Sequence, residues 1–205
     1  TNIPGPFPLL YAVALPAYLL GDIGYLNVLA GLAFAAFLER RHHPHSLQAG
    51  LILVALAGYL PWLWEMATRS TLWVNIILSL LFAEYLEQRD LSHRGQRLRA
   101  AILAGLLLST RSIVAVALIT HGVSLWRRRR VSTPGAFAMG ACAALVFVLT
   151  LLPFYLWHPG DYLRYNPLTV QSGLLPTGLK LALVIGAVGA GWLCRDLPAI
   201  LALTG

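Results

Sequence analysis

Charge is scarce in this sequence, and negative charge is scarcest. Asp and Glu number eight in 205 residues and Lys and Arg fifteen, so that the four types make up only 11% of the chain. Soluble domains carry roughly 25% charged residues. A surface so poor in charge is not one that water covers, and lipid is therefore the expected solvent for much of the chain. The mean hydropathy of +0.71 points the same way. Cysteine is nearly absent as well. Cys142 and Cys194 lie in separate apolar segments without a CxxC spacing, which argues against a disulfide or a metal site and for small packing residues. Walker A, GxGxxG, GxSxG, HExxH and heptad patterns are all missing, as is an internal repeat. No reaction can be read from a motif alone.

The sequence opens Thr1-Asn2-Ile3-Pro4 with no basic stretch before its first apolar segment, so a signal peptide is not expected. It stops inside an apolar run at Ala202-Leu203-Thr204-Gly205. Both ends read as cuts in a longer chain. Residues 1–205 are then expected to be one transmembrane domain of a larger protein.

What the sequence does contain is a succession of apolar runs with arginine clusters between them. The net charge of +7 does not imply nucleic acid, because short basic clusters between apolar runs are the pattern of cytoplasmic membrane loops. Pro8 to Leu20 is interrupted by Pro16 and covers only about 20 Å as helix, short of a hydrocarbon core of about 30 Å. It reads as re-entrant or interfacial. Full spans are expected over Ile23 to Leu38, Leu47 to Trp64, Leu72 to Leu86, Ala136 to Trp157 and Gly178 to Cys194, with a polar loop over Glu87 to Arg99 and a cut apolar segment from Pro198. The fold expected is all-α, a polytopic transmembrane helical bundle of about five to seven membrane segments.

Ala100 to Trp126 decides the topology. Crossing once, it would put Arg94, Arg97 and Arg99 on the opposite side from Arg127-Arg128-Arg129-Arg130, against the positive-inside rule. Entering and returning, with Arg111 near the turn, it leaves 11 of the 15 basic residues on the cytoplasmic side. A broken or re-entrant hairpin, sheltered by other helices, is the expectation. The outer face then collects Asp22, Glu65, Arg69, Arg111, His158, Asp161, Tyr162, Arg164, Tyr165, Asn166, Gln171 and Lys180.

Arg111, between Leu106-Leu107-Leu108 and Ile113-Val114, is the sharpest of these, since an arginine at mid-membrane costs about 2.5–3.5 kcal/mol unless paired or hydrated. Two readings stand: a guanidinium offered to a phosphate, or a side chain that snorkels to headgroups or pairs with Glu65 or Asp22. Ser109, Thr110 and Ser112 can satisfy backbone carbonyls at the turn. Asp161 reads as a helix cap after Pro159-Gly160. Tyr162 and Tyr165 suit an interfacial belt or a sugar-stacking platform. His121 has no sequence partner that would make it a haem or chlorophyll ligand. His42, His43 and His45 lack a helical ligand spacing. Gly186, Gly189, Ala190 and Gly191 form a helix-packing face.

Three stretches resemble bacterial polytopic glycosyltransferases of the GT-C type, including mannosyltransferase-like members. They are Gly5-Pro6-Phe7-Pro8-Leu9-Leu10 running on to Leu15-Pro16-Ala17-Tyr18-Leu19-Leu20-Gly21-Asp22, the half-helix Leu107-Leu108-Ser109-Thr110-Arg111, and Leu152-Pro153-Phe154-Tyr155-Leu156-Trp157-His158-Pro159-Gly160-Asp161-Tyr162-Leu163. The resemblance implies transfer of a sugar from a polyprenyl-phosphate donor on the extracytoplasmic face of a bacterial inner membrane. It also implies a catalytic acid in a first outer loop and, in some members, a divalent metal. That loop would precede Thr1, so no catalytic residue is assigned within the chain. Arg111, Arg164 and His158 become candidates for holding donor phosphate, with Asp22, Glu65, Tyr162, Tyr165 and Asn166 facing substrate. Expected partners are membrane lipids, the lipid-linked sugar and other membrane subunits. Two other readings compete: a non-catalytic accessory or scaffold subunit of a larger complex, and a transporter.

Overall fold

The computed structural model describes residues 8–42, 71–160, 162 and 176–193. Among them the regular structure is entirely α-helical. The expected span Leu47 to Trp64 lies outside the described residues, as do Glu65, Arg69, Asp161, Arg164, Tyr165, Asn166, Gln171 and Cys194. The chain divides into two compact units, one of residues 12–81 and one of residues 82–205 with the first eleven.

The first unit holds most of α1 (Pro8–Leu19), all of α2 (Gly24–His42) and the first part of α3 (Leu72–Gln88). Pro16 is inside α1 without ending it. The chain turns at Gly21, whose φ of 102° is a conformation that suits glycine. The Asp22 carboxylate then accepts a hydrogen bond from the Gly24 amide at 2.7 Å, which satisfies a donor at the start of α2. The axes of α1 and α2 meet at 103°. Further along α2, Phe37 and Leu38 are buried with Phe34 and Leu81 against them, and Trp73 of α3 meets Phe34 edge-on with centroids 5.8 Å apart. Asn75 is buried on α3, where its amide nitrogen donates to the Thr71 carbonyl at 2.6 Å.

The second unit contains the end of α3, then α4 (Arg94–Leu108), α5 (Val114–Arg127), α6 (Thr133–Trp157) and α7 (Thr177–Leu193). The stretch from Glu87 to Arg99, read from sequence as one polar loop, is instead mostly helix. Gln88 ends α3, and α4 already carries Arg94, Arg97 and Arg99 on its first turns. Arginine is a good helix former, so a polar composition did not require a loop. Helix α6 likewise starts at Thr133, capped by Ser132, whose hydroxyl accepts from the Gly135 amide.

Two tight contacts organise this unit. A Cβ on Gly105 of α4 would lie 2.5 Å from the Ala143 carbonyl and 2.7 Å from Val146 Cβ of α6. A Cβ on Gly191 of α7 would collide with the Thr120 carbonyl and Val123 of α5. Small residues let the backbones approach this closely. Of the expected packing face on α7, Gly191 is buried, as is Ala187 beside it, while the Cβ positions of Gly186 and Gly189 face open space.

By length and composition, α6 is the one helix among the described residues able to cross a membrane alone, with 25 residues and a mean hydropathy of 2.3. Helices α1 and α2 together pass the same test as a bent pair. At 14 and 17 residues, α5 and α7 are apolar but shorter. Of the five to seven membrane segments expected, one or two among the described residues meet this test.

Candidate functional site

The polar groups of interest in the second unit fall at its two ends. At one end, Glu87 closes α3. Its side chain is 19% exposed and takes a bidentate pair from Arg128, with Nη2 on Oε1 and Nη1 on Oε2. Arg130 adds Nη1 to the same Oε2 at 2.8 Å and donates to the carbonyls of Glu87 and Arg89. Burial alone would raise the Glu87 carboxyl, but the Arg128 hydrogen bond and the charges of Arg128 and Arg130 outweigh it and hold the group below its ordinary value of 4.5.

The turn after α5 makes this pairing possible. The Arg130 amide donates to the Leu125 carbonyl and the Arg129 amide to the Trp126 carbonyl, the two bonds of a Schellman ending. Arg129 takes the left-handed position, with φ 55°, where glycine is usual. Arg128 and Arg130 therefore point back toward α3. Arg127 packs over the Trp192 ring at 5.3 Å, and Trp126 tilts against Trp192 and donates to the Thr133 hydroxyl. The α3–α4 turn lies at the same end. Arg97 donates to the carbonyls of Leu91 and Ser92, and Asp90, held low by hydrogen bonds from Ser92, ties the turn beside His93.

The start of α4 and the end of α5 are thus at one end, and the chain reverses between the two helices. The reversal is Ser109-Thr110-Arg111-Ser112. Ser109 and Thr110 are buried. The Thr110 hydroxyl donates to the Leu107 carbonyl at 2.6 Å, and Ser109 Oγ lies 2.6 Å from Thr150 Oγ1 of α6. Arg111 is half-buried at this turn.

His158 is the C-cap residue of α6 and is exposed, its ring 5.7 Å from that of Trp157. It stands eight residues past Thr150 (158 − 150), about 12 Å further along the axis. Tyr162 is half-buried and meets Tyr155 edge-on at 6.1 Å. Burial pushes its phenol up, so the hydroxyl is neutral. Of the candidates proposed from sequence, Arg111, His158 and Tyr162 fall in this unit, whereas Asp22 belongs to the other and caps a helix there.

Two features escaped the sequence reading. Glu87 looked like the first residue of a polar loop, and its signal was its position one residue beyond an apolar run. Thr150 lay unnoticed inside a continuous apolar span. His121 is buried, with neither ring nitrogen hydrogen-bonded among the described residues. Among the described residues no group of three or more His, Cys, Asp or Glu could hold a metal ion. Comparison with models of protein families, with curated proteins and with solved structures finds no match.

Proposed function

We propose that the chain is part of a polytopic membrane protein that presents Arg111 to the phosphate of a lipid-linked substrate. On this reading it works as a GT-C-like glycosyltransferase, taking a sugar from a polyprenyl-phosphate donor on the extracytoplasmic face of a bacterial inner membrane. The observation that carries the reading is the place of Arg111: half-buried at a helix reversal, at the end of the unit away from both arginine clusters. The positive-inside rule assigns the clustered end to the cytoplasm. Helices of 15 and 14 residues rise only about 22 Å each, so the pair enters and returns rather than crossing twice. A guanidinium suits a phosphate because the two can meet through two parallel charge-assisted hydrogen bonds. The hydroxyls of Ser109 and Thr110 hold the turn locally. His158 and Arg164 are further candidates for the same phosphate.

The test is Arg111→Ala in the full-length protein. Sugar transfer from the polyprenyl-phosphate donor should be abolished while expression and membrane insertion stay at wild-type levels. Unchanged transfer would return Arg111 to a snorkelling role.

A second reading, a non-catalytic subunit of a larger complex, is favoured by the bareness of α6. Only 11% of its apolar window is buried, and Phe137 is 76% exposed. Purification with one stoichiometric membrane partner, together with full function in Arg111→Ala, would select it.

A further inference from the structure

Where α4 and α6 begin, before they close on each other at Gly105, a groove of about 400 Å³ runs between them. Each helix contributes one stripe. On α4 it is Arg94, Arg97, Leu98 and Ala101, and on α6 it is Gly135, Ala138, Met139 and Cys142. Both follow the i, i+3, i+4, i+7 spacing of a single helix face. The groove is therefore graded along its length, with two guanidiniums at its rim and small apolar side chains further in.

The two arginines are not equivalent. Arg97 is fixed at the rim because its Nη1 donates to the carbonyls of Leu91 and Ser92. Arg94, one turn earlier, is exposed and makes no hydrogen bond or ion pair among the described residues. No carboxylate lines the groove among the described residues. The arginines after α5 are differently placed: Arg128 and Arg130 share the Glu87 carboxylate.

We infer that this groove binds an anionic phospholipid, with its headgroup phosphate on Arg94 and Arg97 and one acyl chain along Ala101, Ala138, Met139 and Cys142. A graded groove of this kind matches an amphiphile with one negative end. A free phosphate would use only the rim, and an apolar peptide would leave the guanidiniums unanswered. The inference rests on the reading that the unit sits in a bilayer with its arginine end in the cytoplasmic leaflet, where anionic lipids concentrate and basic pockets between helices take their headgroups. It is separate from the role given to Arg111 at the opposite end.

The experiment is native mass spectrometry of the full chain released from detergent after equilibration with equal phosphatidylglycerol and phosphatidylcholine. The wild type should retain phosphatidylglycerol preferentially. Arg94→Gln should weaken that retention about fivefold, the worth of one basic residue at an anionic surface. Ala138→Trp, at an exposed position that needs no rearrangement of the core, should fill the groove and remove the preference. Arg129→Gln, outside the groove, should leave it unchanged. Equal retention of both lipids, or a preference intact in both groove variants, would overturn the inference. Competition by 
inorganic phosphate would overturn the acyl-chain part of it. Carbonate extraction of the same preparations separates the two levels: release of the wild type from membranes would sink the membrane reading itself, whereas an embedded chain without lipid preference sinks only the groove.

Discussion

The two ends of the second unit use polar groups in opposite ways. At the arginine end, charges answer charges: Glu87 is shared by Arg128 and Arg130, and Arg130 also donates to the backbone carbonyls of Glu87 and Arg89. At the reversal, neutral hydroxyls pair with one another and with a backbone carbonyl, with the half-buried Arg111 beside them. The first end is built to stay assembled. The second holds its backbone with hydroxyls, and Arg111 is half-buried beside them.

The largest expected effect strikes the arginine end. Glu87→Ala leaves two partly buried guanidiniums without their carboxylate and should cost about 2 kcal/mol in unfolding free energy, measured by thermal or denaturant unfolding in detergent. Loss of a few tenths only would mean that solvent already screens the pair. The same group sets a pH dependence. Its carboxyl titrates lower folded than unfolded, so its contribution is complete above the ordinary value of 4.5 and is lost as pH falls through the folded value. Glu87→Gln should flatten that acid limb.

A smaller effect is expected at the reversal. Ser109→Ala should cost about 1 kcal/mol, the net worth of one neutral hydrogen bond, and the Ser109→Ala, Thr150→Ala pair should cost less than the sum of the single changes. Strict additivity would show that the hydroxyls do not act together. The smallest effect is a gain. Arg129→Gly relieves a left-handed arginine and should stabilise the unit by roughly 0.5–1 kcal/mol, unless the charge contributes more than the strain costs.

Much of the helical organisation was legible in advance, because long apolar runs and arginine clusters are one-dimensional signals. The α4–α5 break was visible as Ser109-Thr110-Arg111-Ser112, since four polar residues interrupt an otherwise apolar stretch. The arginine end was legible only as a cluster. That Arg128 and Arg130 reach back 41 and 43 residues to Glu87 depends on the left-handed turn at Arg129, and no local pattern announces an arginine in that conformation. Helix ends were misjudged where polar residues continue a helix, as at Gln88 and Arg94, because polarity was read as loop although these residues have good helix propensity. Gly191 was correctly placed on a packing face, but Gly186 and Gly189 of the same stripe were not used, since only the side of α7 turned toward Thr120 meets a backbone.

The turn at Arg129 has one more consequence, for connectivity. The residue is exposed, and the two close helix pairs, α4 with α6 and α5 with α7, each join a helix before it to a helix after it. Cutting the chain at this arginine would separate two polypeptides without separating either pair of helices. The two helix pairs across it are held by their own packing, and what the covalent link there adds is the turn that keeps Arg128 and Arg130 on Glu87.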